Sequence, residues 1–388
     1  MRRTLFRLLS RPVLLPALLA ILAFASGVTP AAAFETSARE AILLDFDTGA
    51  VLLEKNADKE MPPASMSKLM TTYMVFERLE EGSLKLDDTM TVSEKAWRMG
   101  GSKMFVEVGD SVTVENLLQG IIVQSGNDAC IVVAEALAGS EDAFAEMMTR
   151  KAKEIGLTHS HFVNASGWPA DGQYMSVRDL ATLTKRIILD FPKYFPYYSE
   201  KSFTYNEITQ GNRNPLLYKD LGVDGMKTGH TAEAGYGLTA TAERDGRRLI
   251  MVVTGLDSAQ QRSIEGERLL NYGFREFGNY HLFDKGETVE QAEVWLGDAG
   301  YVPLVIDRDL TVTLPRRSRD NLKVSVVYDG PIPAPIEAGT RIAKLVVAAP
   351  GVVPFEIPLA AGQSVGQLSM FGRIGAALEY LVWGPPTL

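Results

Sequence analysis

Ser65 and Lys68 stand three residues apart in Ser65-Met66-Ser67-Lys68, at the predicted start of a helix running from about Ser65 to Glu81 and stopped by Gly82. A serine hydroxyl is a poor nucleophile without a base beside it, and an amine serves as that base only when it is neutral. Spacing i, i+3 puts Lys68 on the face that carries Ser65, within reach of its hydroxyl. The start of a helix also favours developing negative charge. Taken alone, the pair reads equally well as a helix-capping serine beside an exposed lysine, because Ser-x-x-Lys is a common string. Two further groups follow in order. Ser125-Gly126-Asn127 comes 60 residues after Ser65, and Lys227-Thr228-Gly229 about 100 residues later. The first of these is expected in a loop before a helix, the second at the start of a strand.

The elements that must position these groups are legible as a mixed pattern. Ala41 to Leu53 reads as a hairpin of two apolar strands around Asp47-Thr48-Gly49. Helical periodicity holds over 114–139, 141–155 and 177–189, strand-like stretches return at 237–242 and 249–254, and a helix is expected near 259–277. Strands at both ends with helices between them imply one α/β layer carrying a helical insertion. From about Gly286 to residue 360 short strands alternate with turn residues, as in a small all-β domain. Residues 365–383 form a last helix candidate, with Leu368, Phe371, Ile374, Leu378 and Leu381 on one stripe. This helix either docks on its own domain or lies in a membrane surface, where Tyr380 and Trp383 would suit the boundary.

Composition removes whole classes. The chain has 388 residues, 46% of them hydrophobic, enough for a sizeable core. Its net charge is -9, and residues 1–33 hold four Arg and no acid, so the rest is more acidic still. That sign argues against a nucleic-acid binder. One cysteine, Cys130, excludes an intramolecular disulfide and any cysteine-based zinc site, and it reads as buried packing. Four scattered histidines suggest no metal cluster; His159 and His161 have no visible third ligand. Arg2, Arg3, Arg7 and Arg11, the apolar run from Val13 and Pro30-Ala31-Ala32-Ala33 have the layout of a secretory signal peptide, with a mature start at Phe34. Work outside the cytoplasm follows.

The three motifs, taken together and in this order, are the signature of β-lactamases and penicillin-binding proteins. The stretch from Thr36 to about Phe277 resembles the low-molecular-mass penicillin-binding proteins, the serine-type D-alanyl-D-alanine carboxypeptidases. The resemblance is carried by 64–71, by Ser125 to Cys130, by Asp171 to Tyr174 and by Val223 to Thr231. One position departs: Ser166 stands where relatives carry His. The resemblance implies an α/β catalytic domain over 34–280, built as an antiparallel sheet with helices on both faces and a helical insertion. It also implies the all-β domain and a tail holding the enzyme on the outer face of the cytoplasmic membrane, in the periplasm. Its substrates would be peptidoglycan stem peptides and its inhibitors β-lactams, with no cofactor. By the same resemblance Ser65 attacks, Lys68 takes its proton, Ser125 relays a proton to the leaving amine, and Asn127 orients Lys68 and the substrate backbone. Lys227, Thr228 and Arg262 would meet the substrate carboxylate, and the N–H groups of Ser65 and of His230, next to Gly229, would form the oxyanion hole.

Three rivals share parts of this constellation. A β-lactamase with a catalytic glutamate before the Lys-Thr-Gly strand finds no counterpart, because residues 155–199 contain no Glu. A D,D-endopeptidase would use the same site. A silent penicillin-sensing module would not need intact Ser65, Lys68, Ser125 and Lys227.

Overall fold

The computed structural model describes residues 34–375, so the leader and the helix expected through Trp383 fall wholly or largely outside the described residues. The architecture below belongs to the unit that begins at Ser37. In chain order it runs β1 (Glu40–Asp45), β2 (Val51–Lys55), a 3₁₀ turn (Ala64–Ser67), α1 (Lys68–Glu80), β3 (Thr89–Thr91), α2 (Glu94–Arg98), β4 (Ser111–Thr113), α3 (Val114–Ile122), α4 (Asn127–Ala138), α5 (Glu141–Glu154) and α6 (Val177–Asp190). There follow β5 (Ser202–Tyr205), β6 (Ile208–Gly211), β7 (Val223–Thr231), β8 (Gly235–Arg244), β9 (Arg247–Leu256) and α7 (Ala259–Glu276).

One antiparallel sheet, ordered β2-β1-β9-β8-β7, organises the first half. Its middle strands are buried on both faces, which is why Leu249 to Thr254 reads as an apolar run without alternation. One face meets α7, where Gly273 sits against Leu43 and Leu249. Ile42, Ile250 and Val252, from the other face, join Leu69 and Met70 of α1 and Leu180 of α6 in the main core. Helices therefore cover both faces of an antiparallel sheet. β7 is left as an edge strand, with its outer side free to meet the helical half.

Two helix expectations change. The α-helix begins at Lys68, and Ser65 lies on the preceding 3₁₀ turn. The run over 114–139 breaks into α3 and α4, because Ser125 adopts a left-handed φ of 60° between them. Apolar periodicity continues across the break, and the break agrees with the loop expected at Ser125-Gly126-Asn127, not with one continuous helix. Lys227 is likewise central in β7, not at its start.

The second layer comprises β10 (Phe277–Phe283), β11 (Thr288–Trp295), β12 (Tyr301–Val305), β13 (Leu310–Pro315), β14 (Lys323–Val327), β15 (Ile332–Pro333), β16 (Arg341–Ala349) and β17 (Val352–Ala361). Six of these strands form the sheet β14-β16-β17-β12-β11-β15, over a core containing Leu304, Leu345 and Leu359. Strand pairing starts earlier than residue 286, since β10 follows α7 directly and pairs with β13. The tail expectation is corrected at its start. Val365 is 1% exposed and bridges to Ile336, and helix is found from Met370 to Gly375, where Phe371 is 82% exposed.

Asp45 ties the two layers together. It is fully buried, its Oδ2 accepts from Arg247 Nε at 2.8 Å, and its Oδ1 accepts from Thr48 N and Asn279 Nδ2. Removing one member of a buried pair strands the other charge. Asp45→Ala should therefore lower the free energy of unfolding by about 3 kcal/mol, read as a lower urea midpoint.

Candidate active site

Lys68 is fully buried, and its side chain reaches three acceptors from three segments of the chain. Nζ lies 2.8 Å from Ser65 Oγ, 2.8 Å from Asn127 Oδ1 and 2.5 Å from the Ser166 carbonyl. The carboxamide of Asn127 is oriented by its other end, since Nδ2 donates to Gly100 O at 2.9 Å. Asn127 Oδ1 and Ser166 O can only accept, so they take the two N–H groups of a neutral amine. Its lone pair is then left facing the Ser65 hydroxyl. Burial pushes the Lys68 amine down to about 8, with the Arg213 charge adding to the effect. Desolvation is thus the leading cause of the shift.

The contact from Ser166 is made by the main chain. Its side chain can therefore differ from the family's histidine without removing the acceptor. The turn that presents the carbonyl needs Gly167, at φ 75°, because a Cβ there would stand 1.9 Å from Ala64 O and 2.4 Å from Ser67 Oγ. Gly229 makes a similar close approach: a Cβ would lie 2.9 Å from Pro63 O. The nucleophile's turn is thus wedged between the loop at 166–168 and the edge of β7. Left-handed backbone at Ala64 (φ 47°) and Ser125 (φ 60°) marks two positions held off their local preference by that wedging.

Ser125 is paired with the third motif. Lys227 Nζ donates to Ser125 Oγ at 2.9 Å, and both residues are almost wholly buried. Burial drives the Lys227 amine well below its ordinary value, and the charges of Lys68, Arg213 and Arg262 push the same way. Arg213 and Arg262 are themselves desolvated, which lowers both. Arg262 Nε is buried with no hydrogen-bond partner, and its guanidinium lies 5.7 Å from the Tyr236 ring. Among the described residues none of these four cations has a carboxylate in ion-pair contact. Lys227 and Arg262, buried without a counter-ion, and the exposed Arg213 near them are a ready receptor for an anion. Thr228, 6% exposed, lies within this row, and His230 stacks on Tyr236 at 3.9 Å.

The structure brings together Ser65, Lys68, Ser125, Asn127 and Lys227, and sets Arg262 within electrostatic reach of Lys227. Sequence reasoning missed Arg213, which bonds Ser102 Oγ from the loop before β7. A lone arginine in a polar loop carries no local signal. It also missed Asp128, whose carboxylate accepts from the N–H groups of Met104, Phe105 and Val106 and so shapes the loop beside Asn127. Cys130 is fully buried, its thiol pushed up to about 12 by desolvation, so it stays protonated. His161 stacks on Tyr174 and bonds Gly172 O, while His159 meets Thr158. Among the described residues no group of three or more His, Cys, Asp or Glu side chains is placed to hold a metal ion.

A desolvated amine aimed at a serine hydroxyl, beside an anion-receiving row, defines a serine acyl-transfer enzyme of the Ser-x-x-Lys type. Residues 26–258 match the peptidase S11 family, D-alanyl-D-alanine carboxypeptidase, and residues 277–369 match the C-terminal domain of penicillin-binding protein 5. The chain belongs to the D-alanyl-D-alanine carboxypeptidase family. It is 41% identical over 345 residues to the D-alanyl-D-alanine carboxypeptidase DacC of Escherichia coli, covering 87% of this chain and 86% of that one. Penicillin-binding protein 5 of Haemophilus influenzae superposes with a TM-score of 0.78 at 36% identity, over 88% of this chain and all of that one. Penicillin-binding protein D2 of Listeria monocytogenes, in its ampicillin-bound form, superposes at 0.58 and 32% identity, over 62% of this chain and 99% of that one.

Lys68 must lose its proton to act as a base, so acylation by benzylpenicillin should rise with pH and reach half its plateau near pH 8. Stopped-flow acylation rates would check this, and a flat profile through that region would remove Lys68 as the titrating base.

Proposed function

We propose that this chain removes the terminal D-alanine from peptidoglycan stem peptides through an acyl-enzyme on Ser65. The observation that carries the reading is the Lys68 amine, fully buried and 2.8 Å from the Ser65 hydroxyl. Lys68 takes the hydroxyl proton as Ser65 Oγ attacks the carbonyl between the two D-alanines. The N–H groups of Ser65 and His230 receive the oxyanion, for which one donor typically contributes about 3 kcal/mol. Ser125, bonded to Lys227, relays to the departing amine the proton that Lys68 took, so the C–N bond breaks to leave an ester on Ser65 with Lys68 neutral again. Lys68 then takes a proton from the water that attacks the ester and returns it to Ser65 Oγ as the acid leaves, which restores the hydroxyl.

The substrate's carboxylate supplies the counter-ion that Lys227, Arg213 and Arg262 lack, with Thr228 as a further donor. Its arrival also raises the Lys227 pKa and so favours the charged amine. Asn127, bonded to Lys68, holds the base in place and faces the substrate backbone. A penicillin ends in a carboxylate beside a reactive amide, so the same chemistry predicts that it acylates Ser65 and blocks the site.

D-alanine release from a peptide ending in Lys-D-Ala-D-Ala, abolished by benzylpenicillin, is the direct test. Ser65→Ala should lower kcat/KM by at least about 10³-fold and prevent covalent labelling while leaving the circular dichroism unchanged. Labelling that persists in this variant would assign the nucleophile elsewhere.

We further propose that residues 1–33 direct export and that the C-terminal segment rests on the outer surface of the cytoplasmic membrane. Among the described residues no helix is long and apolar enough to cross a membrane. Support for a surface helix comes from its first turns, where Met370, Phe371 and Ile374 are all more than half exposed. A truncation should follow Leu368, because Leu368 N still bonds Leu296 O and Val365 is packed in the β core. The shortened protein should move from the membrane to the soluble fraction. If both forms fractionate alike, the tail is not an anchor.

A further inference from the structure

A cavity of about 960 Å³ lies where one end of the catalytic sheet meets the β layer, and the acyl-transfer steps do not use it. Its walls come from the turns after β1 and β8, the last turns of α7, and strands β10 and β13. Lys227 pairs with Thr239 of β8, and Arg244 stands five residues further along that strand, about 17 Å away. The cavity is therefore separate from the catalytic centre.

Arginines supply its charge. Arg244 donates from Nε to Leu221 O at 2.8 Å and from Nη1 to Asn271 Oδ1 at 3.0 Å, and its guanidinium lies 4.4 Å from the centre of the Phe274 ring. A guanidinium is a rigid fork of donors, so these contacts fix its plane. Its remaining nitrogen, Nη2, is buried and has no partner. Burial lowers the Arg244 pKa, although Asp220 and Glu267 pull the other way, so this cation is held where water supports it poorly. Arg316 stands exposed at the rim, and its Nη2 donates to the Phe274 carbonyl at 3.4 Å. Phe274 thus brings the two cations together, one against its ring and one at its carbonyl.

The other lining arginines are matched by acids: Arg247 by Asp45 and Arg275 by Glu276. Neither Arg244 nor Arg316 has a carboxylate in ion-pair contact among the described residues. Asp47 and Asp245 also line the cavity, but both are exposed, and solvent screens their charge more than that of the half-buried Arg244. Two cations without a counter-ion match a dianion better than a single carboxylate. A phosphate monoester carries about −1.5 to −2 charges near neutral pH and offers three acceptor oxygens. The cavity falls in the size range of small-molecule sites and is far larger than the anion alone, so the phosphate would arrive on a larger group.

We propose that this cavity binds a phosphate monoester, with the phosphate held between Arg244 and Arg316 and Arg244 Nη2 donating to one of its oxygens. Two sources share that chemistry, a soluble phosphorylated molecule and a lipid headgroup ending in phosphate.

Calorimetric titration with glycerol 3-phosphate at low salt tests the first source. Cosedimentation with phosphatidylcholine vesicles containing or lacking phosphatidic acid tests the second. Two charge-assisted contacts predict a Kd for the soluble probe of about 1 mM. Binding to the vesicles alone would assign the site to a lipid headgroup. In either case Arg244→Gln should weaken binding at least about tenfold, as for a lost hydrogen bond to a charged group, and Arg316→Gln about threefold. D-alanine release should be unchanged in both variants, which shows that they are folded. If Arg244→Gln loses it, Arg316→Gln, at an exposed position, decides the matter. Binding that the substitutions leave intact would place the anion elsewhere, as at the cations around Lys227, and overturn the proposal. No binding of either probe would overturn it as well.

Discussion

An amine with no solvent-accessible surface is the constraint on which the rest of the site depends. Charged, Lys68 would be costly to keep in so dry a position; neutral, it needs acceptors for its N–H groups and something useful for its lone pair. Asn127 Oδ1 and the Ser166 carbonyl meet the first need, and the Ser65 hydroxyl meets the second. These partners come from the turn before α1, the start of α4 and the loop near residue 166. Reactivity here is therefore a property of how three distant segments close on one nitrogen.

The same closure explains the backbone around it. Ala64 and Ser125 sit in left-handed conformations that suit neither residue, and Gly167 fills a place where any Cβ would strike Ala64 O. Strain of this kind persists only where surrounding structure over-determines it. The sheet provides that rigidity. Its middle strands are buried on both faces, and its edge strand β7 carries Lys227 into the helical half while Gly229 lets the nucleophile's turn approach. Asp45 fastens the far end of the sheet to the β layer through Arg247 and Asn279.

Around Lys68 the structure gathers positive charge rather than dispersing it. Lys227, Arg213 and Arg262 are all desolvated, the charges of the two arginines lower the Lys227 amine further, and no carboxylate among the described residues stands in ion-pair contact with them.

The three motifs, their order and the helical or strand character around them are written in the sequence because each is local. Hydroxyl beside amine at i, i+3, a hairpin at Asp47 to Gly49, and strands alternating with turns after residue 286 all follow from neighbours in the chain. The strands β8 and β9 were legible too, as strand-like stretches at 237–242 and 249–254. The tertiary structure alone decided the rest. The motif at Ser125 suggested a loop, but the left-handed φ that breaks the helix there is invisible to periodicity because the apolar pattern runs through it. Arg213 announces nothing in its loop, and the role of residue 166 resides in a carbonyl that every residue type possesses. The pKa of Lys68 depends on burial, which is set by segments far apart in sequence. Residue types and spacing thus determined which chemistry was possible. Desolvation and long-range packing, which no local pattern encodes, decided which lysine faces Ser65 and which cations are left without a counter-ion.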